Sequence, residues 1–179
     1  MPELPEVENL RRGLEKTITG QKIIEVKVNK PKLVSGKGTV RIASKKRQGE
    51  FILGLRGERF IKIERRAKNL IFRLSHNKTI LAHLKMSGQF VYRPGQLRSR
   101  VFSSEKAVDT RVERKKTRPG LQLIIGGHPI ELSERELPNK HTHVIFELER
   151  GTLFYNDTRM FGYLLYYSTI ELFEGGNHF

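Results

Sequence analysis

Pro2 and Glu3 stand side by side at the start of MPELPEVENLRRGLEK. Once Met1 is removed, the secondary amine of Pro2 becomes a nucleophile at the chain end. An α-amino group titrates near about 8, so a useful fraction is neutral at physiological pH. Such an amine attacks an electrophilic carbon and forms an iminium with an aldehyde-like sugar. Glu3 beside it has the chemistry to move protons to and from that sugar. Taken alone, the pair reads more simply as an ordinary chain start.

The pair needs an element to hold it. From Glu6 to Ile18, Val7, Leu10, Leu14 and Ile18 recur at helical spacing, with Arg11, Arg12, Glu15 and Lys16 between them. Pro5 suits a first helical turn and Gly20 a helix end. The spacing predicts one amphipathic helix, with Pro2 and Glu3 just before its positive end. From Lys22 the period changes to two: Ile24, Val26 and Val28 alternate with Glu25 and Lys27, predicting a strand that buries the first set. Short apolar runs follow at residues 58–64, 69–74, 79–84 and 89–92, with SHNK as a hairpin turn. HVIFELE, TLFYN and YLLYY repeat the pattern late in the chain. The fold class expected is mostly β: a β-sandwich of short antiparallel strands with an N-terminal amphipathic α-helix, in one domain over residues 1–179. A Ser, Arg and Lys-rich stretch at about 93–132 has too little apolar surface to offset its ordering entropy, and is expected to be a mobile basic insert.

The balance of 34 Lys plus Arg against 19 Asp plus Glu gives a formal charge of +15, spread along the whole chain. A polyanionic partner follows, nucleic acid foremost, although charge does not separate an enzyme from a binder. The absence of cysteine excludes disulfides, thiolate metal sites and Cys nucleophiles. His141 and His143 lack a ligand set around them, so no metal is assigned. No apolar run has the length of a membrane span, and the start lacks the order of a secretory signal. Together these features lead us to expect an intracellular, soluble protein.

Three further stretches carry candidate residues: RRAKNL with Lys68, HLKMSGQF with Met86, and NDTRMFGY with Arg159 and Phe161. Singly, Lys68 reads as a surface cation, Met86 and Phe161 as core, and Arg159 as an ion-pair partner. Jointly they suit damaged duplex DNA. Chemistry on a base requires its nucleotide to be extruded, and the hole must be filled by wedging side chains. Met86 and Phe161 are apolar wedges, Arg159 has donors for the orphaned base, and Lys68 has the charge for a phosphate.

PELPEVENLRRGL, RRAKNLIF, HLKMSG, LPNKHTHVIFEL and NDTRMFGY, in this order, resemble the N-terminal half of formamidopyrimidine-DNA glycosylases, in the superfamily shared with endonuclease VIII. The resemblance covers about residues 1–92 and 137–167. It implies a bifunctional repair enzyme that excises oxidised purines and nicks the abasic site by β and then δ elimination, with no redox or nucleotide cofactor. By the same resemblance Pro2 matches the sugar-attacking nucleophile, Glu3 the catalytic acid, Glu6 a supporting acid and Lys68 the phosphate-binding lysine. Met86, Arg159 and Phe161 match the trio that fills the void, which favours oxidised purine over oxidised pyrimidine.

Two residues depart from the pattern: Lys85 stands where glycine is frequent, and Met160 where arginine is. The family's helix-two-turn-helix and zinc-finger regions are expected to be absent from this chain. The expected partner is damaged double-stranded DNA, bound by a monomer, with a separately encoded C-terminal half as a second partner. The alternative function is a truncated or split non-catalytic DNA-binding module that needs a second polypeptide for activity.

Overall fold

A computed structural model describes residues 3–35, 43–95, 123–125 and 137–168. Pro2 therefore lies outside the described residues. The expected fold class is borne out: two antiparallel sheets pack face to face, flanked by helices. Helix α1, Leu4–Ile18, starts two residues earlier than its apolar spacing required, because Glu3 holds extended backbone and Pro5 preorganises the first turn. Val7, Leu10, Leu14 and Ile18 are buried along one face. Each such side chain contributes about 1.5–3 kcal/mol relative to exposure, so this stripe fixes the helix on the sheet.

The strands are β1 Ile23–Val28, β2 Phe60–Arg66, β3 Asn69–Leu74, β4 Thr79–His83 and β5 Gly88–Pro94. They continue as β6 Leu123–Ile125, β7 Thr142–Leu148, β8 Gly151–Asp157 and β9 Tyr163–Tyr167. One sheet has the order β1-β7-β8-β5-β6 and the other β2-β3-β4-β9. Aromatic rings run through the core between them: Phe60 meets Phe72 at 5.9 Å, Phe72 meets Phe90 at 5.5 Å, and Phe90 meets Tyr155 at 5.2 Å between centroids. Tilted and edge contacts of this kind suit the ring quadrupoles.

Three expectations change. Ile24 is not an inward residue: it is 48% exposed, while Ile23 and Val26 are buried. A register shift lets Ile23 to Glu25 span the single step from Leu148 to Glu147, so Ile24 is the extra residue of a bulge and turns outward. Second, a helix α2, Lys45–Leu55, stands where no element is predicted, against β1 and β9. Gly49 and Gly54 each weaken helix propensity by about 1 kcal/mol, which masked it in the sequence. Burial of Phe51 and Leu55 and the Ser44 cap, whose Oγ accepts from Arg47 N at 3.3 Å, decide the matter. Third, the segment at 93–132 is not wholly an insert. Arg93 and Pro94 complete β5, and Leu123–Ile125 pair with Tyr92, Val91 and Phe90 as β6. The rest of it lies outside the described residues.

Candidate functional site

The sheet register brings the candidate residues to one rim. In the four-stranded sheet Arg66 faces Asn69, Asn69 faces His83 and His83 faces Tyr163. The two-residue turn Ala67 and Lys68, the loop from Leu84 to Ser87 and the loop from Thr158 to Gly162 therefore all open at the same end of the sandwich. Helix α1 points there as well. Arg11 Nη1 donates to Ile63 O at 3.3 Å and Arg65 Nε to Glu8 Oε2 at 2.9 Å, so a step toward the start of α1 is a step along β2 toward its turn. Glu3 lies five residues beyond Glu8, about 7.5 Å at the helical rise.

Glu3 and Glu6 are exposed, and Glu6 Oε2 accepts from the Glu3 backbone N–H at 3.1 Å. Glu6 thus has a physical task whatever its chemistry: it fixes the backbone of Glu3 at the start of α1. Farther along, Arg11, Arg65 and Arg12 converge on Glu8 and hold its carboxyl well below the usual carboxylate range. The same Arg65 donates from Nη1 to Ala67 O at 3.0 Å. One guanidinium therefore ties the Lys68 turn to α1. Ala67 carries it at φ 51, the left-handed conformation that a two-residue hairpin demands.

Met86 is 44% and Phe161 46% exposed, which removes the core reading of both. Arg159 is exposed too, and its Nη1 approaches Met86 Sδ at 3.5 Å. The two loops are stitched together below them. Ser87 Oγ donates to Asp157 Oδ1, and Arg159 N donates to Ser87 Oγ at 3.0 Å. Asp157 Oδ2 accepts from Gly162 N at 2.7 Å and from Tyr155 OH at 3.4 Å. The Asp157 carbonyl accepts from His143 Nε2 at 2.7 Å. His143 is thereby a buried structural donor, kept neutral by desolvation, and no metal-ligand cluster forms among the described residues.

Sequence reasoning missed His83. Its Nδ1 accepts from Lys85 N at 3.0 Å, which leaves the proton on Nε2. Burial first, then Lys85 and Lys68, push the imidazole down to about 4. Beside Lys68 the rim thus offers a neutral ring N–H donor at any working pH. The signal was available, because HLKMSG opens on this histidine.

The family model for the formamidopyrimidine-DNA glycosylase N-terminal domain matches residues 1–164 of this chain. The chain belongs to the formamidopyrimidine-DNA glycosylase family. A formamidopyrimidine-DNA glycosylase of Bartonella henselae is 35% identical over 179 residues, which is 97% of this chain and 47% of that protein. Another, of Ligilactobacillus salivarius, is 34% identical over 163 residues, 90% of this chain and 41% of its own length. The Lactococcus lactis Fpg in complex with an abasic site containing DNA superposes with a TM-score of 0.62 at 25% identity, over 97% of this chain and 46% of that one. The wild-type Lactococcus lactis Fpg with an N7-benzyl-Fapy-dG containing DNA gives 0.62 at 26% identity with the same coverage. The chain thus spans about half the length of the curated relatives it matches. Among the described residues no helix is long and apolar enough to cross a membrane.

Both departures from the glycosylase pattern fall on special backbone. Lys85 has φ 53 and Met160 φ 54, so each loop turns on a left-handed residue next to Met86 or Phe161. A side chain there costs about 1–2 kcal/mol, which glycine avoids. Lys85→Gly also loses the Nζ contact over the Tyr163 ring at 5.8 Å and adds unfolded-chain entropy. The expected balance is a gain of about 0.5 kcal/mol in urea unfolding, with His83 titrating higher for want of a neighbouring cation.

His83 carries a pH signature. The unfolded imidazole titrates near about 6.5, the folded one at about 4. Its contribution is whole above the unfolded value and is lost as pH falls toward the folded one, because only the unfolded chain takes up the proton in that window. His143 adds to the same slope. Thermal melts between pH 7.5 and 4 are therefore expected to fall less steeply for His83→Gln than for the parent chain.

Proposed function

We propose that this chain is the catalytic N-terminal domain of a base-excision repair glycosylase and abasic-site lyase acting on oxidised purines in duplex DNA. The observation that carries the reading is the rim itself, where two exposed apolar side chains and Arg159 share one end of the sandwich with Lys68 and the start of α1. Met86 and Phe161 enter the stack as the lesion nucleotide leaves, and Arg159 satisfies the opposite base. Lys68 and the His83 Nε2–H hold a phosphate beside the lesion. Glu3 protonates during ring opening and base departure. The Pro2 nitrogen then bonds to C1′, giving an iminium that acidifies the C2′ proton; its removal expels the 3′ phosphate, and a second elimination expels the 5′ phosphate. The groups named supply this chemistry without a cofactor. A bacterial cytosol or nucleoid, where the DNA lies, is the proposed location, and a single copy the working unit.

A second reading rests on the formal charge of +15, which suits a binder as well as an enzyme. Under it the chain is a non-catalytic binding module whose activity needs a separate C-terminal half.

Borohydride trapping separates the two. The purified chain, incubated with duplexes carrying an abasic site or 8-oxoguanine, is expected to give a covalent adduct that vanishes when the terminal amine is acetylated. Salt-sensitive binding without an adduct selects the binding module, and an adduct indifferent to acetylation overturns the Pro2 mechanism.

A further inference from the structure

Asp157 is 0% exposed, and its two carboxylate oxygens accept from Ser87 Oγ, Gly162 N and Tyr155 OH. These donors belong to three places: the loop that carries Met86, the far end of the loop that carries Arg159 and Phe161, and the core strand β8. Ser87 closes the circuit, since its Oγ also accepts from Arg159 N at 3.0 Å. Both wedge-bearing loops cross from one sheet to the other at the rim, β4 to β5 and β8 to β9, and share one hydrogen-bonded knot. Both also turn on a left-handed residue, Lys85 and Met160, a backbone state that persists only where surrounding contacts over-determine it.

We propose that Asp157 and Ser87 are positioning residues that lock the Met86 loop to the Arg159 and Phe161 loop, so that the three void-filling side chains enter the duplex as one preassembled unit. The proposal rests on the function proposed above. Loose wedges would have to be ordered at the moment the base leaves, at an entropic cost for each side chain. Locked ones have that ordering done during folding. Asp157 touches no reacting atom in this scheme, and its effect passes through the loops.

Three measurements on the full chain test it, using Ser87→Ala and Asp157→Asn. The first is amide hydrogen exchange without DNA. Ser87→Ala removes the acceptor of Arg159 N but leaves that of Gly162 N in place. If the knot is one unit, both amides exchange at least tenfold faster; acceleration of Arg159 alone overturns the coupling. The second compares borohydride trapping on an abasic site in a duplex and in a single strand, where there is no orphaned base and no void to fill. The variants are expected to lose ten- to a hundredfold in duplex rate and less than threefold on the single strand. Equal losses on both, or none on either, overturn the proposal. The third is fluorescence of 2-aminopurine opposite the abasic site, whose change on binding should shrink in both variants. Should Asp157→Asn fail to fold, Ser87→Ala, in a half-buried turn residue, carries the test. A parent chain that gives no adduct on either substrate refutes the proposed function, whereas the exchange experiment judges the knot without reference to activity.

Discussion

Replacing Glu3 by Gln is expected to lower single-turnover excision of a damaged purine by about 10²- to 10⁴-fold, the range that a positioned proton donor contributes. The same variant should still form the trapped adduct with a preformed abasic site, because there the base has already gone and C1′ is already open to attack. The split between the two substrates is the informative quantity. A fold defect would lower both, whereas loss of the acid lowers one. Glu3 is exposed at the N-cap of α1, where its carboxyl accepts from the Glu6 N–H, and Gln keeps an acceptor for that bond. Glu6→Leu offers the contrast. It removes the acceptor that holds the Glu3 N–H at 3.1 Å and should impair both reactions together, since it frees the backbone at Glu3. Excision by Glu3→Gln within threefold of the parent would exclude the carboxyl as the acid.

Gly162→Ala is expected to do more damage than any other single methyl group at the rim. A Cβ there would lie 1.8 Å from Tyr155 Oη and 3.0 Å from both Asp157 Oδ2 and His83 O. Tyr155 and Asp157 are fully buried, so neither has space to retreat. Something must move: either Tyr155 leaves its place against Phe90, or the loop lifts and takes Gly162 N away from Asp157. Overpacking of this kind costs about 1–3 kcal/mol, visible as a lower urea midpoint. The functional loss should exceed the stability loss, because displacement by about 1 Å in a positioned site is enough for a hundredfold change. Affinity for an abasic duplex at fixed salt, measured well below the unfolding midpoint, checks it. Unchanged affinity in the folded variant would mean that the loop bearing Arg159 and Phe161 does not meet DNA.

Much of this was legible in the residues. NLIFRL and YLLYY match β3 and β9 end to end, the first because it alternates buried with half-buried residues and the second because it is an unbroken apolar and aromatic run. The helix was legible from Val7, Leu10, Leu14 and Ile18 alone. Ile24 was misread because a bulge depends on the partner strand, which period two in β1 does not encode. Helix α2 escaped because Phe51 finds its reason in Phe146, about a hundred residues away, at 6.3 Å. The candidate site divides the same way. Glu3, Glu6, Lys68, Met86, Arg159 and Phe161 were visible as motif letters, and exposure of the two apolar ones now tells against the core alternative. Asp157 and Ser87 sat inside those same motifs, yet their importance lies in each other, 70 positions apart. His83 likewise takes its neutral state from burial and from Lys85 and Lys68, not from any local pattern.

The chain of rings from Phe60 through Phe72 and Phe90 to Tyr155 ends on the hydroxyl that reaches Asp157. The rim therefore has no suspension of its own. Its footing is the buried aromatic stack, and heat that slackens the stack should slacken the rim at the same temperature. Recognition and folding should melt as one transition, with no lower-lying step in which the wedges go soft above an intact sandwich.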